Sequence, residues 1–240
     1  VSIQDTGTSI IAGTDVSGNY ALTTTGGVTD NGDIDIEGTT TISSSGSNII
    51  LDRTGNDFTG AVAVVGANVE LTDANAIVLG TSDVSGTYEV RSVAGDITDL
   101  GTLTIAGAAK FITDATGSNI ILDSSSNAFS GSVEMNAGDD GAGNEAFGNI
   151  TFVDSAGVDF ATAANNNGDL FINGSTDGAV GGNLSVTATQ GNITDTVALT
   201  VSGTTTLTTS ANGALITLNN SSNGFTGAMT ITTNDDSGND

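Results

Sequence analysis

One unit, repeated three times, makes up this chain, and such a repeat restricts the fold to an array in which each unit packs on its neighbour. Three stretches open alike: Val1-Ser-Ile-Gln-Asp5, Val69-Glu-Leu-Thr-Asp73 and Ile150-Thr-Phe-Val-Asp154. Three also close alike: Asn56-Asp-Phe-Thr-Gly60, Asn127-Ala-Phe-Ser-Gly131 and Asn223-Gly-Phe-Thr-Gly227. The repeats are therefore 1–68, 69–149 and 150–240. The second and third hold an offset of 96 residues from Tyr88/Leu184 to Phe129/Phe225, whereas Leu71 and Phe152 are only 81 apart. Extra residues must enter between Phe129 and Phe152 and between Phe160 and Leu184. Both places are rich in Gly and Asn, and they read as loop insertions, 136–149 and 164–183, on a common scaffold.

A finer period lies inside each unit. Gly18, Gly38, Gly60, Gly86, Gly107 and Gly131 recur every 20 to 26 residues. Between them apolar and polar residues alternate, as at Leu103/Ile105, Ile120/Leu122, Val133/Met135 and Leu199/Val201. Period two over short runs means strands with one face buried. Thr, Val and Ile favour strands while Gly, Asn and Asp favour turns, so the chain is all-β. A unit of 68 to 71 residues is short for an immunoglobulin-like sandwich, which uses about 100. The 20–26-residue subdivision suits one coil of a parallel β-helix. The absence of Pro agrees, because every interior strand must donate its N–H groups to a neighbour. We expect a single continuous β-solenoid of about 10–11 coils over 1–240, cut from a longer array. Tandem β-sandwich repeats are the alternative.

Composition limits the chemistry. There is no Cys and no His, so thiol chemistry, disulfides and the commonest proton shuttle are excluded. Arg53, Arg91 and Lys110 are the whole basic complement against 28 acids, a net charge of −25. Nucleic acid and anionic membrane surfaces, which need Lys and Arg, are poor partners. No apolar run approaches the roughly 18 residues that insert into a bilayer. Carboxylates suffice for a glycosidase, but acids such as Asp99 and Asp195 follow the repeat and read as turn caps, so no enzyme is expected.

Two binding readings arise from the remaining residues. No cofactor is required, but Ca²⁺ suits clustered oxygen donors on Gly-rich turns. The candidates are Asp139, Asp140, Asn144 and Glu145, and, 96 residues on, Asp235, Asp236, Asn239 and Asp240. Ice binding would need a flat Thr ladder. Thr39–Thr41 and Thr204–Thr206 suggest one, but the equivalent place in the second unit is Ala108-Ala109-Lys110, which breaks it.

The segments Gly182-Asn-Leu-Ser-Val-Thr-Ala-Thr-Gln-Gly-Asn-Ile-Thr-Asp195 and Ala198-Leu-Thr-Val-Ser-Gly-Thr-Thr-Thr-Leu207, with Asn56-Asp-Phe-Thr-Gly-Ala-Val62, resemble repeats of filamentous-haemagglutinin-like bacterial exoproteins of the two-partner secretion type. That resemblance covers essentially the whole chain. It implies a right-handed parallel β-helix, an extracellular place on the bacterial surface or in a secreted filament, and roles in adhesion, aggregation or biofilm. Partners would be surface glycans, surface proteins or further copies of the chain. Two structural roles follow: a stalk segment of a surface adhesin, or the body of a self-assembling filament, sheath or matrix, with Ca²⁺ as a stabiliser.

Overall fold

The alternation of apolar and polar residues produces short strands that turn one face inward. The computed structural model describes residues 1–138, 147–161, 169–172 and 179–234. Among these residues every element is a β-strand. The first unit holds β1 (Ser2–Gln4), β2 (Ser9–Ile11), β3 (Thr14–Val16), β4 (Tyr20–Thr24), β5 (Val28–Asp30), β6 (Ile34–Ile36), β7 (Thr40–Ser44), β8 (Ile49–Leu51), β9 (Asp57–Phe58) and β10 (Val62–Gly66). The second holds β11 (Val69–Asp73), β12 (Ile77–Leu79), β13 (Ser82–Val84), β14 (Tyr88–Ser92), β15 (Ile97–Asp99), β16 (Leu103–Ile105), β17 (Ala109–Thr113), β18 (Ile120–Leu122), β19 (Ala128–Phe129) and β20 (Val133–Ala137). The third holds β21 (Ile150–Asp154), β22 (Val158–Phe160), β23 (Asp169–Ile172), β24 (Ala179–Val180), β25 (Leu184–Ala188), β26 (Ile193–Asp195), β27 (Thr200–Val201), β28 (Thr205–Thr209), β29 (Ile216–Thr217), β30 (Gly224–Phe225) and β31 (Met229–Thr233).

The chain is a parallel β-solenoid of about ten turns, each coil giving one strand to each of three sides. Stacked strands about 4.8 Å apart make it a rod on the order of 50 Å long. The first sheet runs β1-β4-β7-β10-β12-β15-β18-β21-β25-β28-β31, and the second β2-β5-β8-β11-β14-β17-β20-β23-β22-β26-β29. Short ladders β3-β6-β9, β13-β16-β19 and β24-β27-β30 complete the wall.

Each unit has an opening strand (β1, β11 or β21) followed by three coils of three, to which the third unit adds β23. Ten strands on a three-sided coil leave a remainder of one. The third side of each unit therefore stacks, through the opening strand, over the first side of the unit before: β14 on β11 on β8, and β25 on β21 on β18. Where the units meet, β12 touches β10 only through Val62 and Leu79, at a corner. Successive units are thus set round the axis by one side.

The segments read as insertions are not loops throughout. Residues 136–137 finish β20, and 169–172 form a strand that enters the wall between β20 and β22. Leu170 and Ile172 are buried there. The second insertion thus adds a rung to the second sheet, and the alternating Leu and Ile explain why it turns inward.

Inside, Val, Ile, Leu and Phe stack in columns from coil to coil; Ile49, Val69, Tyr88, Ala109 and Val133 form one. Phe129 meets Phe111 edge-on at 6.1 Å and Phe152 of the next unit at 5.2 Å. Such contacts add about 0.5–1.5 kcal/mol each beyond area burial. At one corner a ladder of side chains climbs the axis across the second junction. Asp96 accepts from the Asn119 amide, Asn119 Oδ1 from that of Asn149, Asn149 Oδ1 from that of Asn183, and Asn183 Oδ1 from that of Thr204.

The glycine period reports close approach of backbones. A Cβ on Gly38, Gly60, Gly107, Gly131, Gly203 or Gly227 would lie within 2.2–2.5 Å of a backbone atom of the glycine one coil below. Real Cβ atoms do not approach so closely, so these columns, one in each unit, admit no side chain. Gly18, beneath Gly38 in the first unit's column, has nothing within 4 Å. Gly107→Ala should therefore cost on the order of 1–3 kcal/mol, read as a fall in melting temperature, while Gly18→Ala should leave the midpoint nearly unchanged. Equal effects of the two substitutions would contradict the account of the column.

Candidate functional site at the unit junctions

The polar residues that recur once per unit converge inside the wall. Each Asn of the closing motif reaches down one coil. Asn56 Oδ1 accepts from the Ile34 amide (3.0 Å), and its Nδ2 donates to Asp30 Oδ2 (2.7 Å). Asn127 does the same with the Leu103 amide (2.9 Å) and Asp99 (2.6 Å). Asn223 does so with the Leu199 amide (2.8 Å) and Asp195 (2.5 Å). Asp99 and Asp195 also accept backbone amides from the coil above, those of Asp123 and Asn219. Read as caps of their own turns, these acids in fact clamp neighbouring coils together. The signal was present in the sequence: an Ile/Val-Thr-Asp triplet precedes each Asn-x-Phe by a nearly fixed interval.

A second carboxylate enters at each junction, from the last residue of the opening strand. Asp73 Oδ2 accepts from the Phe58 amide (3.0 Å), its Oδ1 from the Asn75 amide (2.7 Å), and the Ala74 amide donates to the Asn56 carbonyl (2.6 Å). At the next junction Asp154 Oδ1 accepts from the amides of Phe129 (3.4 Å) and Ala156 (3.2 Å), and the Ser155 amide donates to the Asn127 carbonyl (2.7 Å). Both carboxyls are fully buried. Burial pushes each up to about 6, against the amide hydrogen bonds that would lower it. Among the described residues Asp154 Oδ2 is buried and has no hydrogen-bond partner.

The second junction differs from the first. Because β23 lies between β20 and β22, the coils part there, and beside the step is a groove of about 430 Å³. Phe129, Ser130, Ala156, Gly157, Val158, Asp159, Asn192 and Thr194 line it, and the Thr194 hydroxyl donates to Asp159 Oδ1 (2.9 Å).

The outer surfaces are unlike one another. The second sheet carries Glu70, Glu89, Lys110 and Glu134 in register. All three basic residues pair with an acid one coil away: Arg53 with Asp33 (2.8 Å), Arg91 with Asp114 (2.8 Å) and Lys110 with Glu134 (3.7 Å). On the first sheet, four consecutive rungs present Thr151/Val153, Ser185/Thr187, Thr206/Thr208 and Thr230/Thr232, none of them charged. Lys110 does not interrupt this ladder. Thr206 stacks between Ser185 and Thr230, while Lys110 lies in another sheet between Glu89 and Glu134, because successive units are set round by a side.

The residues expected to bind calcium, Asp139, Asp140, Asn144, Glu145, Asp235, Asp236, Asn239 and Asp240, all lie outside the described residues. Among the described residues no group of three or more carboxylates could hold a metal ion, and no helix is long and apolar enough to cross a membrane.

The junction carboxyls make stability depend on pH. Folded, each keeps its proton up to about pH 6; unfolded, it loses it near 3.9. Between these values unfolding releases protons, so stability falls as pH rises. The melting temperature should therefore climb as pH is lowered from 7 towards 4.5. Each group accounts for on the order of 2–3 kcal/mol of that change. Asp154→Asn, a neutral amide of the same shape, should be at least as stable as the parent at pH 7 and should show a flatter pH profile. A variant whose profile keeps the parent's slope would refute this role for Asp154.

Profiles of known families match the chain three times in succession, over residues 1–65, 66–136 and 142–232, each match being to repeats of unknown function (DUF5649). No curated protein and no solved structure matches the chain. With three tandem matches over nearly its whole length, the chain belongs to this family, the repeats of unknown function (DUF5649).

Proposed function

We propose that the chain is a structural segment of an extracellular bacterial surface adhesin, a stalk that supports adhesion, aggregation or biofilm rather than catalysis. The observation that carries this reading is where the recurring polar chemistry points. The Asn–Asp clamp occurs three times with the same geometry, and all three cations are spent on pairs with neighbouring coils. An active site is one departure from a repeat. Here the recurring groups serve the repeat itself, and the product is length. The resemblance to filamentous-haemagglutinin-like repeats supports the extracellular setting.

Antibodies raised against the chain should label intact cells that produce it, and labelling only after permeabilisation would overturn the surface reading. In a fusion that places the array between an anchor and a reporter tip, each added unit should extend reach by about 16 Å without altering the tip's affinity. An affinity that follows the number of units would instead make the rod itself the adhesive element.

Ice binding is a second reading, favoured by the uncharged ladder on the first sheet. Its two columns, Thr151-Ser185-Thr206-Thr230 and Val153-Thr187-Thr208-Thr232, set hydroxyl and methyl groups on a grid of about 4.8 by 6.6 Å. Ordered water could match such a grid. On this reading the chain slows ice recrystallisation and Thr206→Lys abolishes the effect; an inactive parent chain closes the question.

A further inference from the structure

At each unit joint the wall of the rod is closed by a carboxyl instead of a strand. The short ladders β3-β6-β9 and β13-β16-β19 stop where their units end, and among the described residues no strand lies on β9 or on β19. The residues at the end of the opening strand stand in for it. Over β9, Asp73 Oδ2 accepts from the Phe58 amide, the Ala74 amide donates to the Asn56 carbonyl, and Asn75 Nδ2 donates to Asp57. Over β19, Asp154 Oδ1 accepts from the Phe129 amide, and the Ser155 amide donates to the Asn127 carbonyl.

The joint is uneven around the axis. On one side it is continuous: β11 lies in register between β8 and β14, and β21 between β18 and β25. On another the first joint is thin. There β10 meets β12 only through Val62 and Leu79 and β13 through Val65 and Gly66, whereas it lies along β7 from Val62 to Val65. Both carboxyls are fully buried, and the three cations are paired elsewhere. Beside Asp73 stand Ser92, in register on β14, and Asp57, whose charge opposes ionisation. Asp52 is exposed beyond β8, Arg53 pairs with Asp33, and Arg91 turns outward to Asp114. Asp154 has Ala188 in register on β25. The acids of its flanking strands, Asp123, exposed beyond β18, and Asp159, on the outer face of β22, share its sign.

We infer that each unit joint is a proton-controlled hinge. With its carboxyl protonated the joint is closed and the rod is stiff. With the carboxyl ionised the joint opens about its continuous side and the rod bends between units, while the coils within a unit stay stacked. Ionisation drives the opening because a buried carboxylate without a cation is costly and regains its water when the joint parts. The closed joint keeps its proton up to about pH 6, and an open one, its carboxyl in water, releases it near 3.9. Raising the pH from about 5 to 7.5 should therefore favour opening about tenfold at each joint. The amides of Phe58 and Phe129 hold the carboxyls in the closed form, so opening is a local fluctuation and not a change of fold. This inference rests on the joints and not on the cell-surface reading.

The test is amide hydrogen exchange, resolved by residue and corrected for intrinsic rates, on the 240-residue chain and on Asp154→Asn. Both amide hydrogen bonds to Asp154 fall on Oδ1, so the variant's amide nitrogen takes the place of Oδ2, and circular dichroism will verify that it folds. In the parent, opening at Phe58 and Ala74 and at Phe129 and Ser155 should rise about tenfold over that pH range. All four amides should exchange faster than that of Phe111, inside the second unit. In the variant the rise should vanish at Phe129 and Ser155 and persist at Phe58 and Ala74. A parent with no rise at the joints overturns the proposal, and so do joint amides as well protected as Phe111. A variant that keeps the rise at the second joint also overturns it, as does one that changes both joints alike, the mark of a single global transition. The parent's pH series needs no substitution, so the first two outcomes decide the matter even for a variant that does not fold.

Discussion

Everything in this molecule depends on backbone hydrogen bonding between a coil and the coils above and below it. A parallel ladder in register fixes the spacing at about 4.8 Å and lays each residue over a residue of the next coil. Three features of the sequence follow from that one constraint. Proline is absent, since it would remove a donor from the wall. A glycine column recurs where the backbone of one coil lies too close to the next for any Cβ. Asparagine stacks on asparagine at a corner, where each side chain replaces the hydrogen bond that a turn cannot make.

In-register stacking also sets acids over acids, a problem for a chain of net charge −25. Asp15, Asp35 and Asp57 lie in register on one outer face, and Glu70 lies beside Glu89 on another. Two charges about 5 Å apart repel by about 0.8 kcal/mol in water, which exposed positions tolerate. The columns are kept short. Asn75 Nδ2 donates to Asp57 at the head of the first (2.9 Å), and Lys110 follows Glu89 in the second. Buried acids are handled differently: Asp73 and Asp154 sit at the joints with their affinity for the proton raised.

The period of the glycines, the alternation at Leu103/Ile105 and the repeated Phe were enough to read the solenoid from the sequence, because they report the coil and its inward face directly. The site was less legible. Asp99 and Asp195 look like turn residues in one dimension, and their partners Asn127 and Asn223 lie 28 residues on. Only the stacked structure shows that interval to be a contact between coils. The extra strand at 169–172 sits in a Gly- and Asn-rich stretch, where composition outweighed the alternation of Leu170 and Ile172.

The Thr ladder shows most clearly what comparison between repeats leaves out. Aligning the units compares Thr41, Lys110 and Thr206, which are equivalent in sequence but not stacked. In the rod Thr206 lies between Ser185 and Thr230, while Lys110 lies between Glu89 and Glu134. The difference arises from the remainder of one strand per unit, which carries any feature repeated once per unit round the axis instead of up one side. A surface ladder in such a rod therefore comes from strands of the same side within a unit, extended by the opening strand, as β21, β25, β28 and β31 extend this one. A stalk gains from that geometry. With its repeated features distributed around the axis, no single side becomes a continuous sticky edge along the array.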